Sequence, residues 1–74
     1  MTTVNIYNQF QQMIRQYAEK FDWDCDFLEF SIENNFGGFL TYEQIIGNFE
    51  ELVNYIVDNY DKMMQDWMQV EAIY

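Results

Sequence analysis

Four acidic residues stand at spacings that could bind a calcium ion. Positions 1, 3, 5 and 12 of the twelve-residue loop of an EF-hand would be filled by Asp22, Asp24, Asp26 and Glu33. The sixth position of that loop needs glycine for a sharp turn, and here it is Phe27. No helical pattern begins at Glu33, since the glycine pair Gly37-Gly38 follows closely. We therefore expect an acidic helix start here and no metal site.

Few other residues could carry catalytic chemistry. Histidine is absent, which excludes a histidine general base and any zinc site that contains histidine. Cys25 is the single cysteine, and the aspartates around it disfavour its thiolate. We expect this side chain to be at least half-buried and unreactive. The glycine pair alone is not a phosphate-binding loop. The sequence therefore predicts a protein without enzymatic activity or cofactor.

Negative charge is the strongest feature of the composition. Thirteen Asp and Glu against three Lys and Arg give a formal charge of −10 at pH 7. Such a chain repels nucleic acids and anionic membranes, so we expect it to bind neither directly. The carboxylates form two clusters, which are Asp22, Asp24, Asp26, Glu29 and Glu33, and Glu43, Glu50, Glu51, Asp58 and Asp61. Mutual repulsion destabilises a compact state, which favours a binding role over the alternative of solubility alone.

The N-terminal segment has the apolar periodicity of an amphipathic helix. Its apolar side chains recur at spacings of three and four and are Ile6, Phe10, Met13, Ile14, Tyr17 and Phe21. We predict a helix from Thr3 to Phe21.

The C-terminal segment begins with a capping box, in which Thr41 and Gln44 satisfy each other's backbone N–H groups. A heptad seam follows it, formed by Tyr42, Ile46, Phe49, Val53, Ile56, Tyr60, Met63, Trp67, Val70 and Tyr74. A continuous helix of this length would be about 50 Å long, whereas a compact chain of this size is about 30 Å across. Either the helix breaks, most plausibly within residues 58–61, or a second copy covers the excess in a homodimer.

The middle segment is open to two interpretations. Phe21, Trp23, Cys25 and Phe27 alternate with aspartates, as in a strand. Aspartate disfavours strands but suits a helix N-terminus, and Gly37 suits a helix C-cap. We predict a short helix over residues 24–35, with a hairpin turning at Asn34-Asn35 as the alternative. The predicted fold is thus a single all-α domain over residues 1–74, or α+β with the hairpin.

Composition and size also resemble those of a functional class. An acid-dense, lysine-poor and histidine-free chain of this length resembles the small phage and mobile-element proteins that inhibit host defence. These are the acidic anti-CRISPR proteins and the DNA-mimic anti-restriction proteins. The resemblance implies a protein that occupies the positively charged nucleic-acid channel of a CRISPR effector or, second, a restriction nuclease. Lacking a signal peptide and a membrane span, the chain is expected in the cytoplasm of a bacterial host.

The carboxylates expected to contact Lys and Arg of such a target are Asp22, Asp24, Asp26, Glu29, Glu33, Glu50, Glu51 and Asp58. The alternative function is a homodimeric helical adaptor, assembled through the seam from Ile46 to Tyr74. Its partner would meet apolar residues such as Trp67 and Met68, and the charge would serve solubility.

Overall fold

Five α-helices make up the part of the chain that the computed structural model describes, which is residues 3–73, with side chains over residues 5–70. The helices are α1 (Thr3–Phe21), α2 (Cys25–Phe36), α3 (Tyr42–Gly47), α4 (Phe49–Asp58) and α5 (Tyr60–Ile73). No strand occurs among these residues, so the all-α prediction is confirmed. The molecule measures 37 × 25 × 21 Å along its principal axes.

Helix α1 has the predicted bounds and buries the predicted face. Phe10, Ile14 and Ala18 lie in the core, at the spacing of four that aligns side chains along one side of a helix. The helix ends in a Schellman motif. The Trp23 N–H donates to the Ala18 carbonyl at 2.8 Å, and the Asp22 N–H donates to the Glu19 carbonyl at 3.2 Å.

The middle segment forms helix α2, as predicted, and the hairpin alternative is wrong. Asp24 is its N-cap, with the side chain accepting from the Asp26 N–H at 2.8 Å. Gly37 is its C-cap. The expected burial of Cys25 is wrong, because this first residue of α2 is exposed to solvent.

Residues 42–73 differ from a single long helix, because they form three helices separated at Asn48 and Asn59. At each asparagine the backbone N–H is shared between the carbonyls three and four residues earlier. Each side-chain amide also donates to the carbonyl four residues earlier, at 2.9 Å. The break at Asn59 lies within the range predicted, whereas the break at Asn48 does not. Tyr74, the last residue of the predicted seam, lies outside the described residues.

Each break allows the aromatic residue that follows it to pack on another helix. Phe49 follows Asn48 and lies 4.8 Å from the Tyr17 ring of α1, measured between centroids. Tyr60 follows Asn59 and lies 5.5 Å from the Phe27 ring of α2. These aromatic contacts stabilise the interrupted helix and pack the C-terminal half against α1 and α2.

The heptad seam is used within the chain's own core. Phe49, Val53, Ile56 and Met63 are buried against α1 and α2. The continuous helix of about 50 Å, whose excess length a homodimer would have covered, is therefore not formed. Several aromatic side chains remain on the surface, as their number predicts, and Phe39 is the most exposed of those in the described residues, at 71%.

Candidate partner-binding surface

The eight carboxylates predicted to contact a partner lie on two helices. Five belong to α2 or to the turn before it, and these are Asp22, Asp24, Asp26, Glu29 and Glu33. The other three belong to α4, and these are Glu50, Glu51 and Asp58. Glu29 is half-buried and the remaining seven are exposed. Seven of the eight are therefore accessible to a partner, and their contact with one stays a prediction.

Three of these residues form one line of charge along α2, here called the α2 acidic row: Asp26, Glu29 and Glu33. Their spacings of three and four place them on one side of the helix. The opposite side carries the buried residues Phe27, Leu28, Ser31 and Ile32. With Phe30, the acidic row lines a shallow hollow of about 210 Å³.

Neutral donors hold the acidic row in place. The Gln11 amide nitrogen, on α1, lies 2.9 Å and 3.2 Å from the two carboxylate oxygens of Glu29. The same nitrogen lies 3.0 Å from the Tyr7 hydroxyl. At the other end of the row, the Tyr42 hydroxyl donates to Glu33 Oε1 at 3.3 Å. These contacts order two carboxylates without neutralising either of them.

No cation among the described residues pairs with the carboxylates of the acidic row. Burial raises the pKa of Glu33, the neighbouring Glu29 carboxylate raises it further, and the hydrogen bond from Tyr42 acts in the opposite direction. Burial and the Glu33 charge likewise raise the pKa of the Tyr42 hydroxyl. Among the described residues the one ion pair joins Lys62 to Asp66, away from the row.

Helix formation accounts for some of the predicted carboxylates but not for others. Asp24 caps α2, Asp26 lies in its first turn, and Glu50 and Glu51 lie in the first turn of α4. Acidic residues at helix N-termini are favourable because of the helix dipole. Asp58, by contrast, is the last residue of α4, where the dipole disfavours a carboxylate. Glu29 and Glu33 receive no such benefit from α2.

Asp22 is the least favourable of the eight for the fold. It has φ of 58°, the left-handed conformation for which glycine is preferred at the end of a Schellman motif. Its carboxylate also lies at the carboxyl end of α1, where negative charge is disfavoured.

We therefore expect Asp22→Gly to raise the free energy of unfolding by about 1 kcal/mol, through relief of backbone strain and loss of the charge. Asp22→Asn, which removes the charge but keeps a side chain, should gain less. Urea unfolding followed by circular dichroism measures both variants. A loss of stability in Asp22→Gly would contradict this account.

The second predicted cluster is divided by the helix breaks. Glu43 belongs to α3, Glu50, Glu51 and Asp58 belong to α4, and Asp61 belongs to α5. The single negative edge expected along a continuous helix is therefore not formed. The α4 residues of this cluster constitute a second surface, here called the α4 acidic face: Glu50, Glu51 and Asp58.

Among the described residues, no group of three acidic or cysteine side chains is placed so that it could hold a metal ion. The stretch with EF-hand spacing is not a loop, because helix α2 begins at Cys25 and Glu33 lies beyond its second turn. Asp24 is engaged in capping this helix.

Sequence reasoning missed the residues that support the row. Tyr7 and Gln11 lie on α1, and Tyr42 lies on α3, far from the carboxylates in sequence. Tyr7 and Gln11 resemble the other polar residues of the amphipathic helix α1, and Tyr42 was predicted as part of the heptad seam, so none of the three had a signal for contact with α2. The exposed side chain of Phe39 was also missed, although its position directly after the glycine pair is typical of a turn.

Comparisons of the chain with models of protein families, with characterised proteins and with solved structures found no match. None of the described helices combines the length and the apolar character that crossing a lipid bilayer requires.

Proposed function

We propose that this protein is a non-enzymatic inhibitor that binds the positively charged nucleic-acid channel of a bacterial defence complex in the host cytoplasm. The observation that supports this proposal is the α2 acidic row. Its three carboxylates share one accessible face, two are ordered by neutral donors, and none is paired with a cation among the described residues. A partner rich in Lys and Arg would supply the missing charge.

The spacing of the carboxylates in the row is close to that of the phosphates that a basic channel binds. Asp26 to Glu33 covers about 10 Å of helix, which gives one carboxylate per about 5 Å. A single DNA strand carries one phosphate per about 3.4 Å of axis, so the row is a somewhat sparser version of that charge density. Inhibition would then be steric, because the bound protein fills the channel that the nucleic acid needs. The proposed target is a CRISPR effector, ahead of a restriction nuclease.

Affinity capture from bacterial lysate tests this proposal. The tagged protein is incubated with nuclease-treated lysate, washed, and eluted in steps of increasing salt, and each fraction is identified by mass spectrometry. We expect a basic nucleic-acid-binding protein to elute below about 0.5 M salt, because screening at that concentration acts within a few ångströms. A short oligonucleotide that the target binds should displace it as well.

A partner that remains bound through high salt would contradict the proposal and favour the helical adaptor. One observation supports that alternative, since Met68 is 58% exposed beside the half-buried Trp67. Light scattering in solution distinguishes the homodimer, because it reports the mass of one chain or of two. The apolar residues of a dimer would have to be other than Phe49, Val53, Ile56 and Met63, which the core already buries.

A further inference from the structure

A cleft of about 510 Å³ lies where α2 ends and α3 begins. Its lining residues are Glu33, Gly37, Leu40, Thr41, Tyr42 and Ile45. The α2 side of the cleft depends on glycine, because a Cβ added at Gly37 would lie 2.6 Å from the Glu33 carbonyl oxygen. The Leu40 N–H donates to the Phe36 carbonyl at 2.9 Å, which closes the turn between α2 and α3.

The polar side of the cleft is suited to a cation. Glu33 Oε1 accepts the hydrogen bond from Tyr42, whereas Oε2 has no partner among the described residues. The cleft also lies at the carboxyl end of α2, where the helix dipole attracts positive charge. The last turn of α2 contains no basic residue that could supply it.

The rest of the lining is suited to a hydrocarbon chain. Leu40, Tyr42 and Ile45 line this side, and Leu40 is the more accessible of the two aliphatic residues because Ile45 is buried. A site with a carboxylate at one side and an aliphatic wall fits a long side chain that ends in a cation, whose methylene groups pack against the wall. A metal ion fits poorly, since Glu33 is the one carboxylate among the described residues that line the cleft.

We propose that this cleft binds an arginine side chain presented by the partner. The inference rests on the proposed function and adds to it a specific contact at the end of the α2 acidic row. A guanidinium can donate to Glu33 Oε2 and to the Tyr42 hydroxyl oxygen at the same time. Lysine offers a compact charge without that fork, so the cleft should prefer arginine.

The matched variants are Glu33→Gln and Glu43→Gln. Both remove one negative charge, and Glu43 lies one residue beyond Tyr42 but lines a neighbouring hollow with Ile6 instead of this cleft. A difference between the two variants therefore cannot arise from net charge.

The probe is N-acetyl-arginine N-methylamide, titrated into the isotopically labelled full chain and followed by the backbone amide signals of Gly37, Leu40, Tyr42 and Ile45. Two comparison probes are the corresponding blocked lysine, which has the same charge, and blocked citrulline, which has the shape of arginine without its charge. We expect arginine to shift these signals more than either comparison probe does. Glu33→Gln should weaken the binding about tenfold, as for loss of a charged hydrogen bond, and Glu43→Gln should not.

Acidification gives a further readout on the same sample. Because the pKa of Glu33 is raised, arginine binding should weaken at a higher pH than an ordinary glutamate would allow.

Equal effects of the two variants, equal shifts with arginine and lysine, or shifts that avoid the cleft would each overturn this proposal. Those results would leave the proposed function standing, because it is tested by capture of a basic partner. Conversely, a failed capture with clear arginine binding would reject the function and keep the cleft.

Discussion

Replacing Phe27 by alanine is expected to remove about 3–5 kcal/mol from the free energy of unfolding, which is between about a quarter and all of the stability of the domain. A chain of this length has a stability of about 4–11 kcal/mol, at typical values per residue. Phe27 is 1% exposed, and its ring contacts Trp23, Tyr60 and Trp67 at centroid distances of 5.6, 5.5 and 5.7 Å. It therefore joins the turn before α2 to α5, and its loss leaves a cavity that three large rings cannot fill.

Phe39→Ala is the matched control, since it is the same substitution at a side chain that is 71% exposed. We expect it to change the free energy of unfolding by less than about 0.5 kcal/mol. Urea unfolding measures both variants, and tryptophan fluorescence reports the first one locally because both tryptophans contact Phe27. Similar losses from the two substitutions would contradict the assignment of the core.

The sequence predicted the helices whose ends have local signals. Helix α1 has an apolar face that repeats without interruption, and α2 begins after a capping aspartate and ends before a glycine. The capping box of α3 is present with both of its hydrogen bonds, from Gln44 N–H to Thr41 and from Thr41 N–H to Gln44. Interactions between residues so close in sequence do not depend on the rest of the fold, so they can be predicted from the sequence alone.

The break at Asn48 could not be predicted in this way. The heptad seam keeps its phase through Asn48, and the intrinsic cost of asparagine in a helix is below about 1 kcal/mol. The helix ends there because Phe49 gains contacts with Phe10 and Tyr17 on α1. Those contacts are distant in sequence, and they add to the poor helix propensity of Gly47 and Asn48.

The candidate site follows the same division. The heptad pattern places Glu50, Glu51 and Asp58 away from the apolar seam, and the structure has all three exposed. The bond from Gln11 to Glu29 and the bond from Tyr42 to Glu33 join different helices, so their existence depends on packing. The arginine cleft depends on packing even more, because its walls come from the end of one helix and the start of another.

Neutralising the α2 acidic row is expected to abolish capture of the basic partner. The variant is Asp26→Asn with Glu29→Gln and Glu33→Gln, which changes the formal charge from −10 to −7. Charge pairs that lose solvent at an interface are each worth about 1 kcal/mol or more. Removing three of them should therefore weaken binding about 100-fold. Urea unfolding of the same variant shows whether its fold is intact.

The charge-matched comparison variant neutralises the α4 acidic face, as Glu50→Gln with Glu51→Gln and Asp58→Asn. This variant has the same formal charge, and its residues are also exposed on one helix. Long-range attraction would weaken equally in both variants, whereas a direct contact weakens in one alone. The α4 carboxylates are also predicted contacts, but no hydrogen bond among the described residues orders them as Glu29 and Glu33 are ordered. We therefore expect the α4 variant to weaken binding by less than about tenfold, mainly through a slower association rate. Loss of binding in the α4 variant with retention in the α2 variant would move the interface to α4. It would also remove the reason to place a partner's arginine beside Glu33.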